Sequence, residues 1–199
     1  MAFISNGVTI LDNGSFSASL GSMVLISEQT ASASASIEFT SGIDSTYPIY
    51  RFEFINIHPS NASQLKFNFS TDGGSNYNVT KTTTSFVGYH TEADDYSALV
   101  YQTSRDLAQS TSDMWLSSSL PIDNDASFSG YMQLFNPSST TYVKHFITGG
   151  NSMAGDPASV DEHFAGYGNT TSSINAIIFR MSSGNIDSGT IKLYGIKDS

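Results

Sequence analysis

Apolar and polar side chains alternate with a period of two along most of this chain, and that period commits it to strands. In the run Tyr50–Ile55, Tyr50, Phe52 and Phe54 fall on one side and Arg51, Glu53 and Ile55 on the other. Leu65, Phe67 and Phe69 alternate in the same way with Lys66 and Asn68. Successive side chains of a strand point to opposite faces, so each set lines one face of a sheet. The same reading predicts strands at Met23–Ser27, Ser34–Thr40, Thr84–Tyr89, Met114–Ser119, Phe128–Asn136, Thr141–Thr148, Ile174–Met181 and Thr190–Ile196. Gly, Asn and Ser clusters punctuate them, as at Gly149–Ser152, whose glycines read as turn residues, and at Ser182–Asn185. Asp72-Gly73 is a hairpin signal, which predicts a return strand at Tyr77–Thr80.

Only Glu92–Gln109 departs from the pattern. Asp94 and Asp95 near its start and Arg105 near its end suit a helix dipole. A strand at Ser97–Thr103 fits the same residues, because short apolar runs are ambiguous by period.

Many short strands with such punctuation predict an all-β fold: a single-domain antiparallel β-sandwich, jelly-roll-like, spanning residues 22–199. Residues 1–21 read as an N-terminal arm. They are rich in Gly, Ser and Asn, yet hold Phe3, Ile4, Val8 and Ile10, more apolar than a free linker. These four are the candidate assembly contacts. The arm has no basic region followed by a long apolar run, so it does not read as a signal peptide.

Composition narrows the functional classes. With 199 residues the chain can bury a sizeable core. It has no cysteine, which removes disulfides and thiolate metal sites. The formal charge is −10, from 18 acidic and 8 basic residues, and this argues against nucleic acid, whose phosphates need clustered Lys and Arg. Only 13% of residues are charged, so Ser, Thr, Asn and Gln make up the polar surface. No run approaches the roughly 20 apolar residues of a membrane-spanning helix.

Catalytic and metal motifs find no footing. His58, His90, His145 and His163 stand at no ligand spacing. There is no Gly-x-Ser-x-Gly elbow and no phosphate loop. The carboxylate pairs Asp94/Asp95, Asp123/Asp125 and Asp161/Glu162 read as solvated loop acids that cap turns. Asp123-Asn124-Asp125 begins a calcium-loop pattern but lacks its Gly and distal Glu. No catalytic residue, metal ligand or cofactor is therefore expected. Aromatics supply the one binding candidate. Tyr89, Tyr96, Tyr101 and Trp115 lie in or near irregular segments, where rings could stack on sugar faces or pack a loop onto the sandwich.

Two segments carry a family resemblance. The first runs from the Ser/Ala-rich lead Glu28–Ser36 through Ile37-Glu38-Phe39, the turn Ser41-Gly42-Ile43-Asp44 and the aromatic strand Tyr50–Pro59. The second is the closing run Gly189-Thr190-Ile191-Lys192-Leu193-Tyr194-Gly195-Ile196-Lys197. Together they resemble a group of virion structural proteins of tailed phages, those of marine bacteria especially. The resemblance implies a β-sandwich particle component located in the virion, and no catalytic residues. The expected function is non-enzymatic: a capsid decoration (cement) protein or a tail-associated subunit, with copies of itself and other virion proteins as partners. The alternative is a carbohydrate-binding or receptor-binding adhesin whose partner is a host surface glycan.

Overall fold

The computed structural model describes residues 23–155 and 157–197, together with the backbone of three short strands between residues 3 and 16. Those three are β1 (Phe3–Ser5), β2 (Val8–Asp12) and β3 (Ser15–Phe16), paired antiparallel in that order as a sheet of their own. The side chains of Phe3, Ile4, Val8 and Ile10 lie outside the described residues.

The remaining strands form two antiparallel sheets. The small sheet holds β5 (Ile37–Phe39), β7 (Leu65–Ser70), β10 (Met114–Trp115) and β14 (Ala176–Met181), in the order β10-β7-β14-β5. The large sheet holds β4 (Met23–Thr30), β6 (Ile49–Pro59), β8 (Lys81–Thr91), β9 (Ser97–Tyr101), β11 (Phe128–Phe135), β12 (Lys144–Ala154), β13 (Ala158–Gly168) and β15 (Ile186–Ile196). Its order is β4-β15-β6-β11-β12-β13-β8-β9. The chain crosses from one sheet to the other at β4→β5→β6→β7→β8, at β9→β10→β11 and at β13→β14→β15. The first sandwich strand lies beside the last in the large sheet, and β5 lies beside β14 in the small one. That nesting is the jelly-roll arrangement. Two hairpins, β8–β9 and β12–β13, extend the large sheet beyond it.

The core forms where the inward residues of the two sheets meet. Phe52 and Phe54 of β6 face Phe179 of β14, each with ring centroids 5.2 Å apart. Phe146 of β12 meets Phe67 and Phe69 of β7 at 5.2 and 5.6 Å. These rings are buried and packed edge-on, the arrangement the ring quadrupole favours. Ile191 and Leu193 of the closing strand are also buried, as the alternation predicts.

Several expectations change. Among the described residues Glu92–Gln109 contains no helix, and Ser97–Tyr101 is a strand paired with β8. Tyr77–Thr80 is not a strand, and Asp72-Gly73 does not close a hairpin. Its turn is instead held locally. Asp72 accepts bonds from Ser70 Oγ, Asn76 N–H and Asn76 Nδ2, and the chain then crosses from β7 to the large sheet. Gly149 and Gly150 are not in a turn. They lie mid-strand in β12, where a Cβ on Gly150 would stand 2.5 Å from the Phe128 ring and one on Gly149 3.1 Å from Tyr131. Glycine is there so that neighbouring rings can lie across the strand. β13, which the sequence reading missed, is the second half of that hairpin. Asp161 and Glu162 consequently belong to a strand and point to opposite faces: Asp161 is exposed and Glu162 fully buried.

Candidate functional site

From β13 outward the small sheet gives way to the segment 102–120, irregular apart from β10. This segment lies across β13 and β8, and its backbone N–H groups require acceptors. The inward positions of β8 and β13 supply them. Leu107 N–H donates to Thr83 Oγ1 at 2.8 Å, and Ser118 N–H donates to Glu162 Oε1. Ser152 Oγ also donates to Glu162 Oε1, at 2.8 Å. Burial pushes the Glu162 carboxyl above its ordinary range, against the pull of the Ser118 and Ser152 bonds and the nearby Arg105 charge.

Arg105 comes next to it because the chain turns back after β9, where Arg105 N–H donates to the Gln102 carbonyl at 3.0 Å. One terminal nitrogen of its guanidinium donates to Ser118 Oγ at 2.7 Å and lies 3.5 Å from Glu162 Oε2. The other lies 3.5 Å from Tyr89 Oη. The guanidinium carbon sits 5.4 Å from the Trp115 ring centre, with Lys66 Nζ 5.0 Å from the same ring. Above this cluster opens a cleft of about 510 Å³, lined by Tyr89, Tyr96, Arg105, Ser118, Ser119 and Ala158 among others.

The four candidate sugar-contact aromatics therefore divide. Tyr89 and Tyr96 line one cleft. Trp115 stands behind it as the platform for Arg105. Tyr101 is on the opposite face of the sheet, edge-on to Phe86 at 5.4 Å, with its hydroxyl donating to Asp106 at 2.8 Å. Sequence reading placed Arg105 at a helix end and Glu162 among solvated loop acids, and the structure corrects both: Arg105 follows β9 and Glu162 is buried in β13. The signal for Glu162 was present, since it occupies the inward position of the alternating run Ala158, Val160, Glu162, Phe164. The cleft has a shape and donors suited to holding a polar ligand. Its buried carboxylate is occupied by Ser118 and Ser152 and cannot reach a ligand as a base.

The histidines stay apart. His90 bonds Asp94 and His163 bonds Asp161, each at 3.1 Å on the surface. His58 meets the Asp123 carbonyl at 3.1 Å, and His145 lies edge-on to Tyr167 at 6.1 Å. Among the described residues no three His, Asp or Glu side chains gather as metal ligands.

A second candidate surface is the outer face of the large sheet. Leu25, Ile55, Phe86, Leu99, Tyr101 and Ile147 are all exposed on it. A shallow groove of about 470 Å³ runs between Phe135, Ile147 and Tyr167 on one side and Thr82 and Thr84 on the other. Comparison with known proteins finds no matching family model, no matching curated protein and no matching solved structure.

Proposed function

We propose that this chain is a non-enzymatic structural subunit of a tailed-phage virion, mounted on the capsid surface or the tail through the outer face of its large sheet. The observation that carries the reading is an exposed apolar cluster at one end of that face. Phe86, Leu99 and Tyr101 stand exposed side by side on β8 and β9, and clustered exposed apolar side chains mark interaction sites. The resemblance of the Glu28–Pro59 and Gly189–Lys197 segments to virion proteins points the same way. The sandwich supplies rigidity, the outer face supplies contact area, and the segment 1–21 adds reach toward a neighbour. Quantitative mass spectrometry of gradient-purified particles, from lysates in which the chain is expressed, tests this. The protein should be present in many copies per particle. A chain left in the soluble fraction overturns the proposal.

A glycan-binding adhesin is the second reading, favoured by the Tyr89–Tyr96 cleft. Arg105 is already matched by Glu162, so the cleft suits an uncharged sugar, with rings for its apolar face and Ser118 and Ser119 for its hydroxyls. Glycan-array binding that Tyr96→Ala abolishes would support this reading. An array with no signal would remove it.

A further inference from the structure

The structure assigns a self-pairing role to the free edge of β9; this rests on the assembly reading and names one surface through which copies join. The direction of its backbone groups follows from its bonds to β8. Thr91 N–H donates to the Tyr96 carbonyl, and Gln102 N–H donates to the Ser85 carbonyl, at 3.1 and 2.9 Å. Bonded pairs in an antiparallel ladder recur at every second residue. The register Phe86↔Tyr101, Gly88↔Leu99, His90↔Ser97 therefore makes Ala98 and Val100 the residues bonded to β8. Ser97, Leu99 and Tyr101 turn their N–H and C=O groups outward. No strand lies beyond β9 among the described residues.

Exposed edges are normally blunted by charge, proline, bulges or shortness. The other three edges of the sandwich are. β4 carries Glu28, and its pairing with β15 shifts register at Leu193/Tyr194. β5 has three residues with Glu38 at its centre, and β10 has two residues. β9 has none of these devices. Its sequence Ser97-Ala98-Leu99-Val100-Tyr101 has no charge and no proline, and it pairs with β8 without a bulge.

The occupant that fits is a second copy of β9, antiparallel, with a two-fold axis through Leu99. Ser97 then faces Tyr101 of the second copy, and Leu99 faces Leu99. These are the residues whose backbone groups point outward, so each pair exchanges both of its bonds. No charge meets its like across the axis. Leu99 is 81% exposed because its neighbour on β8 is Gly88, which offers no side chain to cover it. The second copy's Leu99 provides that cover. The two eight-stranded sheets become one continuous sheet, and the exposed clusters of Phe86, Leu99 and Tyr101 on the two copies meet across the axis.

Sedimentation of the full chain across a concentration series tests this, together with amide exchange by NMR. The wild-type chain should dimerise reversibly. Amides of Ser97, Leu99 and Tyr101 should slow by at least about tenfold on dimerisation, while Ala98 and Val100 are protected in both states. Leu99→Lys, which sets two like charges face to face, should weaken dimerisation at least about tenfold, a change of roughly 1.4 kcal/mol. Its melting curve should match wild type, because the residue is exposed. Leu99→Pro should also abolish pairing, since the amide it removes bonds nothing within the chain. A wild-type chain still monomeric at about 1 mM, where millimolar association would be half complete, overturns the inference. So does a dimer that Leu99→Lys leaves intact, or one in which the three outward amides still exchange fast. If Leu99→Lys enters particles at wild-type levels, the edge is not the joint and the assembly reading survives. If the wild-type chain never enters particles, that reading fails on its own account.

Discussion

The two halves of the large sheet are built on different chemistry. From β15 to β12 its inner face meets another sheet, whose backbone is already satisfied, and the contact is dry: Phe52, Phe54 and Phe146 against Phe67, Phe69 and Phe179. From β13 to β9 the same inner face meets an irregular segment. There the buried inward positions include Lys81, Thr83, Ser85 and Glu162. A loop brings unpaired N–H and C=O groups with it, and in the interior these must bond to something. Polar side chains on β8 and β13 bond them. The sheet is continuous across both halves, so the difference lies in what covers it.

Cutting into the dry half should cost most. Phe179→Ala removes a ring that touches Phe39, Phe52 and Phe54. It should destabilise the fold by about 3–5 kcal/mol, read from denaturant melts. A loss below about 1 kcal/mol would mean that the site closes over its cavity and that the aromatic cluster is not what joins the sheets.

A comparable effect in the wet half should arise differently. Glu162→Leu strands the Ser118 N–H, the Ser152 hydroxyl and the Arg105 guanidinium, and should cost about 3 kcal/mol or more. The double variant Glu162→Leu/Arg105→Met should recover only the part due to the unmatched Arg105 charge, because the Ser118 N–H and the Ser152 hydroxyl still lack an acceptor. No such recovery can follow for Phe179. If Glu162→Leu behaves like a surface change, within about 0.5 kcal/mol, the polar half is not held by its hydrogen bonds.

The dry half was legible in the sequence because a sheet facing a sheet imposes one rule, apolar inward at every second residue. Phe52, Phe54, Leu65, Phe67, Phe69, Ile191 and Leu193 all follow it and are buried. The wet half was legible only in part: Thr84–Tyr89 and the alternative at Ser97–Thr103 anticipate β8 and β9, but β13 was missed, because polar residues at inward positions imitate loop. Glu162 read as a solvated acid, and in the dry half Gly149-Gly150 read as a turn although they serve ring packing within β12. The candidate cleft was half visible. Tyr89 and Tyr96 could be named as aromatics near irregular chain, but only the fold puts Arg105 beneath them and sends Tyr101 to the other face. Asp72-Gly73 misled for a third reason: a turn signal fixes a local reversal, not the sheet in which the next strand pairs.

Alkaline pH should separate the halves by a smaller amount. Lys81 is buried, donating to Asn68 Oδ1 at 2.6 Å and to the Val79 carbonyl at 2.7 Å. Burial brings its ammonium down from 10.5 to about 8. Between those values the unfolded chain binds more protons than the folded one, so stability should rise with pH, by no more than roughly 3 kcal/mol. Burial also lowers Lys144, which adds to the rise. Burial raises Tyr50 and Tyr77 above the ordinary tyrosine range, so stability should fall again once the unfolded chain's tyrosines ionise above pH 10. A melting series from pH 7 to 11 should therefore peak near pH 10, and Lys81→Met should remove most of the rise. An unchanged profile in that variant would show that Lys81 does not titrate in this window.

The smallest effect should come from Ser85, the exception that tests the rule for the wet half. Among the described residues its Oγ is the one buried side-chain oxygen or nitrogen without a hydrogen-bond partner. Its neighbours at inward positions each answer a demand: Thr83 takes the Leu107 N–H and Lys81 serves Asn68 and the Val79 carbonyl. Ser85 serves only through its main chain, whose carbonyl accepts the Gln102 N–H. An unmade bond leaves a desolvation cost of about 1–3 kcal/mol on the hydroxyl, against a small loss of packing when it is deleted. Ser85→Ala should consequently be neutral or stabilising by up to about 1 kcal/mol, whereas Thr83→Val, which orphans the Leu107 N–H, should destabilise by about 1–3 kcal/mol. The comparison of the two melts is the test. If Ser85→Ala loses as much as Thr83→Val, the hydroxyl is satisfied after all. Hydrogen-bond demand from the covering loop would then no longer explain which inward positions are polar.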